Sequence, residues 1–172
     1  MNNKGYIHLY TGHGKGKTTA AIGLSIRAVG AGKKVYIAQF VKGMPYAELN
    51  AIGRIPEIEI HQFGLDCFIV NEPKQEDIEI ARKGLEHIAQ AFAKNEHQVY
   101  VLDEVCIALY YKLFTINELN DVLKLRDPET ELILTGRYAP QEIIDMADLV
   151  TEMKEIKHYY QKGIDARKGI EY

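Results

Sequence analysis

Apolar positions along the chain follow two alternating rhythms. Short, almost wholly apolar runs, Lys34-Val-Tyr-Ile-Ala-Gln-Phe-Val41 and Gln98-Val-Tyr-Val-Leu-Asp103, read as parallel strands covered on both faces. Tyr6–Tyr10 and Glu131–Thr135 have the same strand preference, Glu57–Phe63 alternates as a strand nearer an edge does, and Leu149–Met153 supplies a sixth. Between them the spacing changes to three and four. Residues 17–31 place Ala21, Leu24, Ser25 and Ala28 on one helical face, and 74–94 does so with Ile78, Ala81, Leu85, Ile88, Ala89 and Phe92. Thr115 with Glu118 forms a capping box for a helix running to about Leu125, following a Leu109–Phe114 lead-in. Pro140–Met146 is a short helix, and residues 44–56, with proline near each end, have room for a helical turn. Gly30-Ala-Gly32 closes the first helix. Gly23 inside that helix, at about 1 kcal/mol against alanine, implies a close approach of helix to sheet. Strands alternating with helices predict an α/β fold: a mostly parallel sheet of about six strands, helices on both faces, right-handed crossovers.

Length and composition narrow this picture. A chain of 172 residues, 47% hydrophobic and 26% charged, fits one domain over 1–172 that buries roughly 70% of its unfolded surface. A net charge of −3 makes no electrostatic case for nucleic acid as a partner. The opening MNNKGYI has no apolar leader, and no run is long enough to span a membrane, so a cytoplasmic protein is expected. Cys67 and Cys106 lack Cys-x-x-Cys spacing and read as free, buried thiols. The six histidines show no i,i+4 pair, which argues against a zinc site.

The first strand opens into Thr11-Gly-His-Gly-Lys-Gly-Lys-Thr-Thr19, which ends as a phosphate-binding loop ends. Successive backbone N–H groups and the start of a helix there attract phosphate, a lysine reaches the outer phosphates, and a threonine hydroxyl ligates Mg²⁺. That lysine, Lys17, is expected to face solvent when no ligand is bound. Thr11 stands where the first glycine normally falls, so the loop is a variant. The fourth strand ends in Asp103-Glu104, carboxylates placed to hold or orient Mg²⁺ beside such a loop. Ligands of parallel sheets bind beyond the carboxyl ends of the strands. Thr11–Thr19, Gln39–Lys42, Gly64–Phe68, Asp103-Glu104 and Thr135–Arg137 all fall there. Gly64–Pro73, an apolar loop, is either a binding surface for something large or a segment folded onto the sheet edge.

With these residues in hand the chain resembles the ATP:corrinoid adenosyltransferases of the cobalamin pathway. The matching pieces are Gly12–Thr19, Arg27–Val35, Gln39–Gly43, Leu102–Glu104, Thr135–Arg137, and the tail from Lys157-His158 through Lys168-Gly-Ile-Glu-Tyr172. The resemblance implies a RecA-like P-loop fold and transfer of the 5′-deoxyadenosyl group of ATP to the Co(I) of a reduced corrinoid, with release of triphosphate. It implies ATP contacts from Gly12, His13, Gly14, Lys15, Gly16, Lys17, Thr18, Thr19, Arg27 and Arg137. Mg²⁺ falls to Thr18 and Glu104 with Asp103 in support, and catalysis to Lys17, Glu104 and Arg137. A flavoprotein reductase as electron donor and a homodimer are also implied.

In the family, aromatic residues after the third strand's glycine sit against the corrin. Here the segment reads Gly64-Leu65-Asp66-Cys67-Phe68, with Leu65 and Cys67 where aromatics are expected. Two other functions share the motifs: a P-loop kinase or ATPase that moves the γ-phosphoryl group, and a non-catalytic ATP-binding regulator.

Overall fold

A computed structural model describes residues 4–65, 69 and 72–172. Its elements in order are β1 Ile7–Thr11, α1 Lys17–Gly30, β2 Val35–Phe40, α2 Ala47–Ile52, β3 Ile58–Phe63, α3 Gln75–Lys94, β4 Val99–Asp103, α4 Val105–Tyr110, α5 Ile116–Leu123, β5 Glu131–Thr135, α6 Gln141–Met146, β6 Leu149–Glu152, and a 3₁₀ turn at Tyr159–Lys162. The strands form one sheet in the order β3-β2-β4-β5-β1-β6, and every neighbouring pair is parallel. β3 lies at an edge, as its alternation predicts. Helix α4 is an addition: its six residues follow β4 directly, where the apolar pattern predicts only a lead-in at Leu109–Phe114.

All six residues of β2 are buried because successive side chains enter opposite layers. Tyr36, Ala38 and Phe40 join one core with α3, α4 and α5. Val35 and Ile37 join the other with Ala21 and Ala28 of α1 and Ile52 of α2. The glycine predicted to bring helix and sheet together is not the one that does so. A Cβ at Gly23 would meet nothing within 4 Å, whereas one at Gly84 of α3 would lie 2.8 Å from the rings of Phe40 and Phe63. Gly23 faces solvent, and its helix contacts the sheet through Ala21, Ser25 and Ala28 instead. Cys106 is a free, buried thiol; Cys67 lies outside the described residues.

Register decides what the sheet presents at its carboxyl edge. Gln39 pairs with Gln62 on one side and Asp103 on the other, and Leu102 of β4 pairs with Leu134 of β5. Gln62, Gln39, Asp103 and Thr135 therefore form a polar row across four adjacent strands, capping apolar interiors. Hydrogen bonds run along it, from Gln62 Nε2 to Gln39 Oε1 at 3.3 Å and from Gln39 Nε2 to Asp103 Oδ2 at 3.1 Å.

At the opposite end, His97 is buried against the rings of Tyr36 and Tyr100, with Nε2 3.3 Å from Glu59 Oε2 and no partner for Nδ1. His61 and His87 line the same pocket. Burial holds the His97 imidazole below its ordinary pKa, reinforced by Lys34 and Lys94 and opposed by Glu59 and Glu96. The hydrogen bond from His61 holds the Glu59 carboxyl low. Below pH 6.5, the ordinary value for the imidazole, the unfolded chain thus binds a proton at residue 97 while the folded one resists it. This stability is fully present above that value and is lost as pH falls toward the lower folded pKa. Urea midpoints are expected to fall as pH drops through this window from neutrality, and to fall less in His97→Phe; an unchanged slope in the variant would assign the dependence elsewhere.

Candidate active site

The phosphate loop is shaped by what it packs against. Gly12 and Gly16 have φ of 94° and 111°, in the left-handed region. The Gly14 N–H donates to Met153 O at 2.7 Å, and a Cβ on Gly14 would stand 2.7 Å from that same oxygen. Gly14 therefore serves the approach of the loop to the chain leaving β6. Lys17 does not face solvent. It is 5% exposed, and its ammonium donates to the carbonyls of Gly12 at 2.8 Å and Gly14 at 2.7 Å. The loop's own carbonyls are its acceptors, so the cation folds into the loop and not away from it. Burial pulls its pKa down, with Arg137 adding to this and Glu104 and Asp103 opposing it.

Asp103 is the hub. It is 1% exposed and accepts from Thr18 Oγ1 at 2.9 Å, Thr135 Oγ1 at 2.7 Å, Gln39 Nε2 at 3.1 Å and Lys42 Nζ at 2.8 Å. Lys42 also donates to Thr18 Oγ1 at 3.1 Å. Burial opposes the Lys42 charge, and the adjoining Asp103 carboxylate outweighs that and raises its pKa. Glu104 follows with φ 59°, and its N–H donates to Thr135 Oγ1 at 2.9 Å. Burial and Asp103 raise the Glu104 carboxyl, against Lys42, Lys17 and Arg137.

A hard divalent cation prefers oxygen donors and keeps several waters or phosphate oxygens. The Thr18 hydroxyl and the Glu104 carboxylate fit such an ion, because both offer oxygen and Glu104 is a half-buried acid that forms no ion pair among the described residues. Asp103, with four donors already, fits as the group that orients Thr18. Among the described residues no three histidine, cysteine or acidic side chains are grouped to hold a metal by themselves.

The expected residues divide into those brought together and those kept apart. Lys17, Thr18, Asp103 and Glu104 converge. Arg137 is exposed, with its charge felt at both Lys17 and Glu104. The His13 ring lies edge-on to that of Tyr138, 5.2 Å between centroids. Lys15 points outward to Ile170 O at 2.7 Å and Glu171 Oε1 at 2.9 Å, and Glu171 is also bonded by the Tyr159 hydroxyl and Arg167. Gly16 caps α1 and Thr19 is exposed on its first turn. Arg27 stands apart in the last turn of α1, exposed and about 15 Å along the helix from Lys17. Gly64 packs backbone to backbone on the segment after β2, where a Cβ would lie 2.3 Å from Lys42 N, so its small size serves that contact. Leu65 is half-buried beside it; Cys67 and Phe68 lie outside the described residues. Lys42, as the first cation after an almost wholly apolar strand, had a signal in the sequence. Glu171, 156 residues from Lys15, lies in the tail that carries the resemblance, but nothing in the sequence pointed to its pairing with Lys15.

Two substitutions test the arrangement. Asp103→Ala strands the Lys42 cation among Thr18, Gln39 and Thr135, and urea unfolding is expected to show a loss of about 3–5 kcal/mol; a loss below about 1 kcal/mol would mean the carboxylate is not the hub. Lys17→Ala frees two loop carbonyls, for which about 1–3 kcal/mol is expected. It should remain folded by circular dichroism yet lose most turnover, and near-normal turnover would show that the loop is misread.

A family model described as ATP:corrinoid adenosyltransferase BtuR/CobO/CobP matches residues 3–172. The chain is 34% identical to a corrinoid adenosyltransferase of Escherichia coli strain K12 over 100% of its own length and 88% of that protein. It is 35% identical to one from Sinorhizobium sp, covering 99% of the chain and 82% of the relative. To the corrinoid adenosyltransferase CobA of Salmonella typhimurium strain LT2 it is 33% identical, over 100% and 88%.

Proposed function

The chain belongs to the ATP:corrinoid adenosyltransferase family, and from that premise we propose how its residues carry out the transfer. The activity is transfer of the adenosyl group of ATP to a corrinoid; phosphoryl transfer and non-catalytic binding are not favoured. In the proposed reaction the Co(I) electron pair attacks the ribose C5′, a Co–C bond forms, and the C5′–O bond breaks with its electrons leaving on triphosphate. Co(I) is itself a strong nucleophile, so no general base is needed. The protein's work is to orient C5′, exclude water and stabilise a highly charged leaving group.

The observation that carries this reading is the meeting of the phosphate loop with Thr18, Asp103 and Glu104 at one sheet edge. Lys17 turns from the Gly12 and Gly14 carbonyls to the phosphates when they arrive, and the loop N–H groups take the remaining oxygens. Arg137 supplies positive charge from the β5 side. Lys15, now paired with Glu171, is a further cation within the loop. Thr18 and Glu104 would hold Mg²⁺, with Asp103 keeping the Thr18 hydroxyl oriented; the ion would neutralise charge on the leaving group. Arg27 is too far along α1 to share the phosphates with Lys17, so any contact it makes is to another part of the substrates. The corrinoid would lie toward Gly64, Leu65, Cys67 and Phe68.

A reductase that supplies electrons, a cytoplasmic setting, one domain over 1–172 and a homodimer complete the proposal. No helix among the described residues is long and apolar enough to cross a membrane. The outer edge of β6, exposed along its length with Leu149 and Val150, supports self-association.

The test is incubation with Mg-ATP and chemically reduced corrinoid, followed by phosphorus NMR and absorbance before and after illumination. Triphosphate and a light-sensitive Co–C bond are expected. Orthophosphate without alkylcorrinoid would overturn the reading.

A further inference from the structure

An aromatic ledge runs beside the phosphate loop and plays no part in the steps above. His13, inside the loop, forms a T-shaped pair with Tyr138, 5.2 Å between ring centroids. Tyr138 stacks on Tyr110 at the end of α4, centroids 4.3 Å apart and planes 25° from parallel. Tyr110 in turn meets the edge of Tyr111 at 5.4 Å, and the Tyr111 hydroxyl donates to Ile69 O at 3.2 Å. The ledge therefore links the loop after β1 to the loop after β3. Its two central rings are not core residues: Tyr110 is 55% and Tyr138 48% exposed.

Two features separate this pair from ordinary surface tyrosines. Tyr138 has φ 57°, a left-handed backbone that a bulky residue rarely adopts and that persists where the surroundings hold it. That turn, two residues beyond Gly136, is what aims the ring back over the loop. A Cβ on Gly136 would lie 2.8 Å from Cys106 Cβ, so the turn is also pressed against the start of α4, the helix that carries Tyr110. The stack is thus fixed from both sides while both residues stay about half exposed.

From this geometry we infer that Tyr138 and Tyr110 form the stacking platform for the purine base of ATP. The inference rests on the ATP reading of the loop. A nucleotide joins phosphate and base within one molecule, so the base must fall within a short reach of the loop, and the platform is one ring contact from His13. A purine is flat and aromatic on both faces, which suits stacking on a tyrosine pair. A corrin macrocycle is larger, carries substituents above and below its plane, and matches such a pair poorly.

The experiment is calorimetric titration of the full chain with ATP and, separately, with inorganic triphosphate, for the unaltered protein and for Tyr138→Ala, Tyr110→Ala and Tyr138→Phe. Stacking of a base on an aromatic ring corresponds to roughly five- to a hundredfold in affinity. Both alanine variants are expected to weaken ATP within that range and leave triphosphate binding unchanged, while Tyr138→Phe keeps the affinity of the unaltered protein. Equal weakening of ATP and triphosphate would overturn the platform, since the loop itself would have been disturbed. Unchanged ATP affinity with a raised KM for corrinoid would also overturn it, giving the rings to the macrocycle. ATP binding that survives the alanine variants sinks the platform alone; failure of the unaltered protein to bind ATP sinks the reading of the loop as well.

Discussion

The Asp103 carboxylate is the constraint on which the site depends. A charge removed from water at the end of a buried strand must be matched by donors or be neutralised. Here it is matched by four, and each arrives from a different element: Thr18 from α1, Gln39 from β2, Lys42 from the turn after β2, Thr135 from β5. None of those segments can shift without stranding the charge. The carboxylate thus fixes the relative positions of the phosphate-loop helix and three strand ends before any substrate is present. Under the proposed function, that fixity is the preorganisation that electrostatic catalysis needs.

Backbone strain follows from the same geometry. Val41, Glu104 and Tyr138 take positive φ just after β2, β4 and β5, at of order 1–3 kcal/mol each for residues that are not glycine. At Val41 the turn sends Lys42 back to Asp103; at Glu104 it starts α4 while giving the N–H to Thr135. Asn95 and Lys112 share the conformation at helix ends. Chain reversals at parallel strand ends normally use several residues. Only after β4 is the connection a single residue, Glu104; six residues separate β2 from α2 and five separate β5 from α6, and there the left-handed residue turns the chain early in the loop.

The strands, the long helix α3 and the capping box at Thr115 are legible in the sequence because they depend on local period and on side chains three residues apart. The convergence of the glycine-rich loop with Asp103-Glu104 is legible because both fall just beyond the carboxyl ends of parallel strands. What cannot be read depends on distant register or on empty space. Gly23 and Gly84 look alike in a helical pattern, and only the positions of Phe40 and Phe63 decide which is pressed against the sheet. Sequence alone sends Lys17 into solvent because it shows a lysine's length but not the carbonyls within its reach. Helix α4 is hidden by its own apolar content: Val105, Cys106 and Ala108 are buried among other elements and show no amphipathic period over six residues. Glu171 meets Lys15 only because the tail folds back across the loop.

That last contact bears on the order in which the molecule can be completed during synthesis. β1 sits between β5 and β6, so the first strand made has no sheet neighbour until the last two exist. At about 5–20 residues per second, residue 171 emerges roughly 8–30 s after residue 15. For that interval a glycine-rich, cation-bearing loop exists without Met153 to accept from Gly14 and without Glu171 to hold Lys15. Its shape on the ribosome is therefore not its shape in the finished protein, and the loop's final form is among the last features the chain acquires.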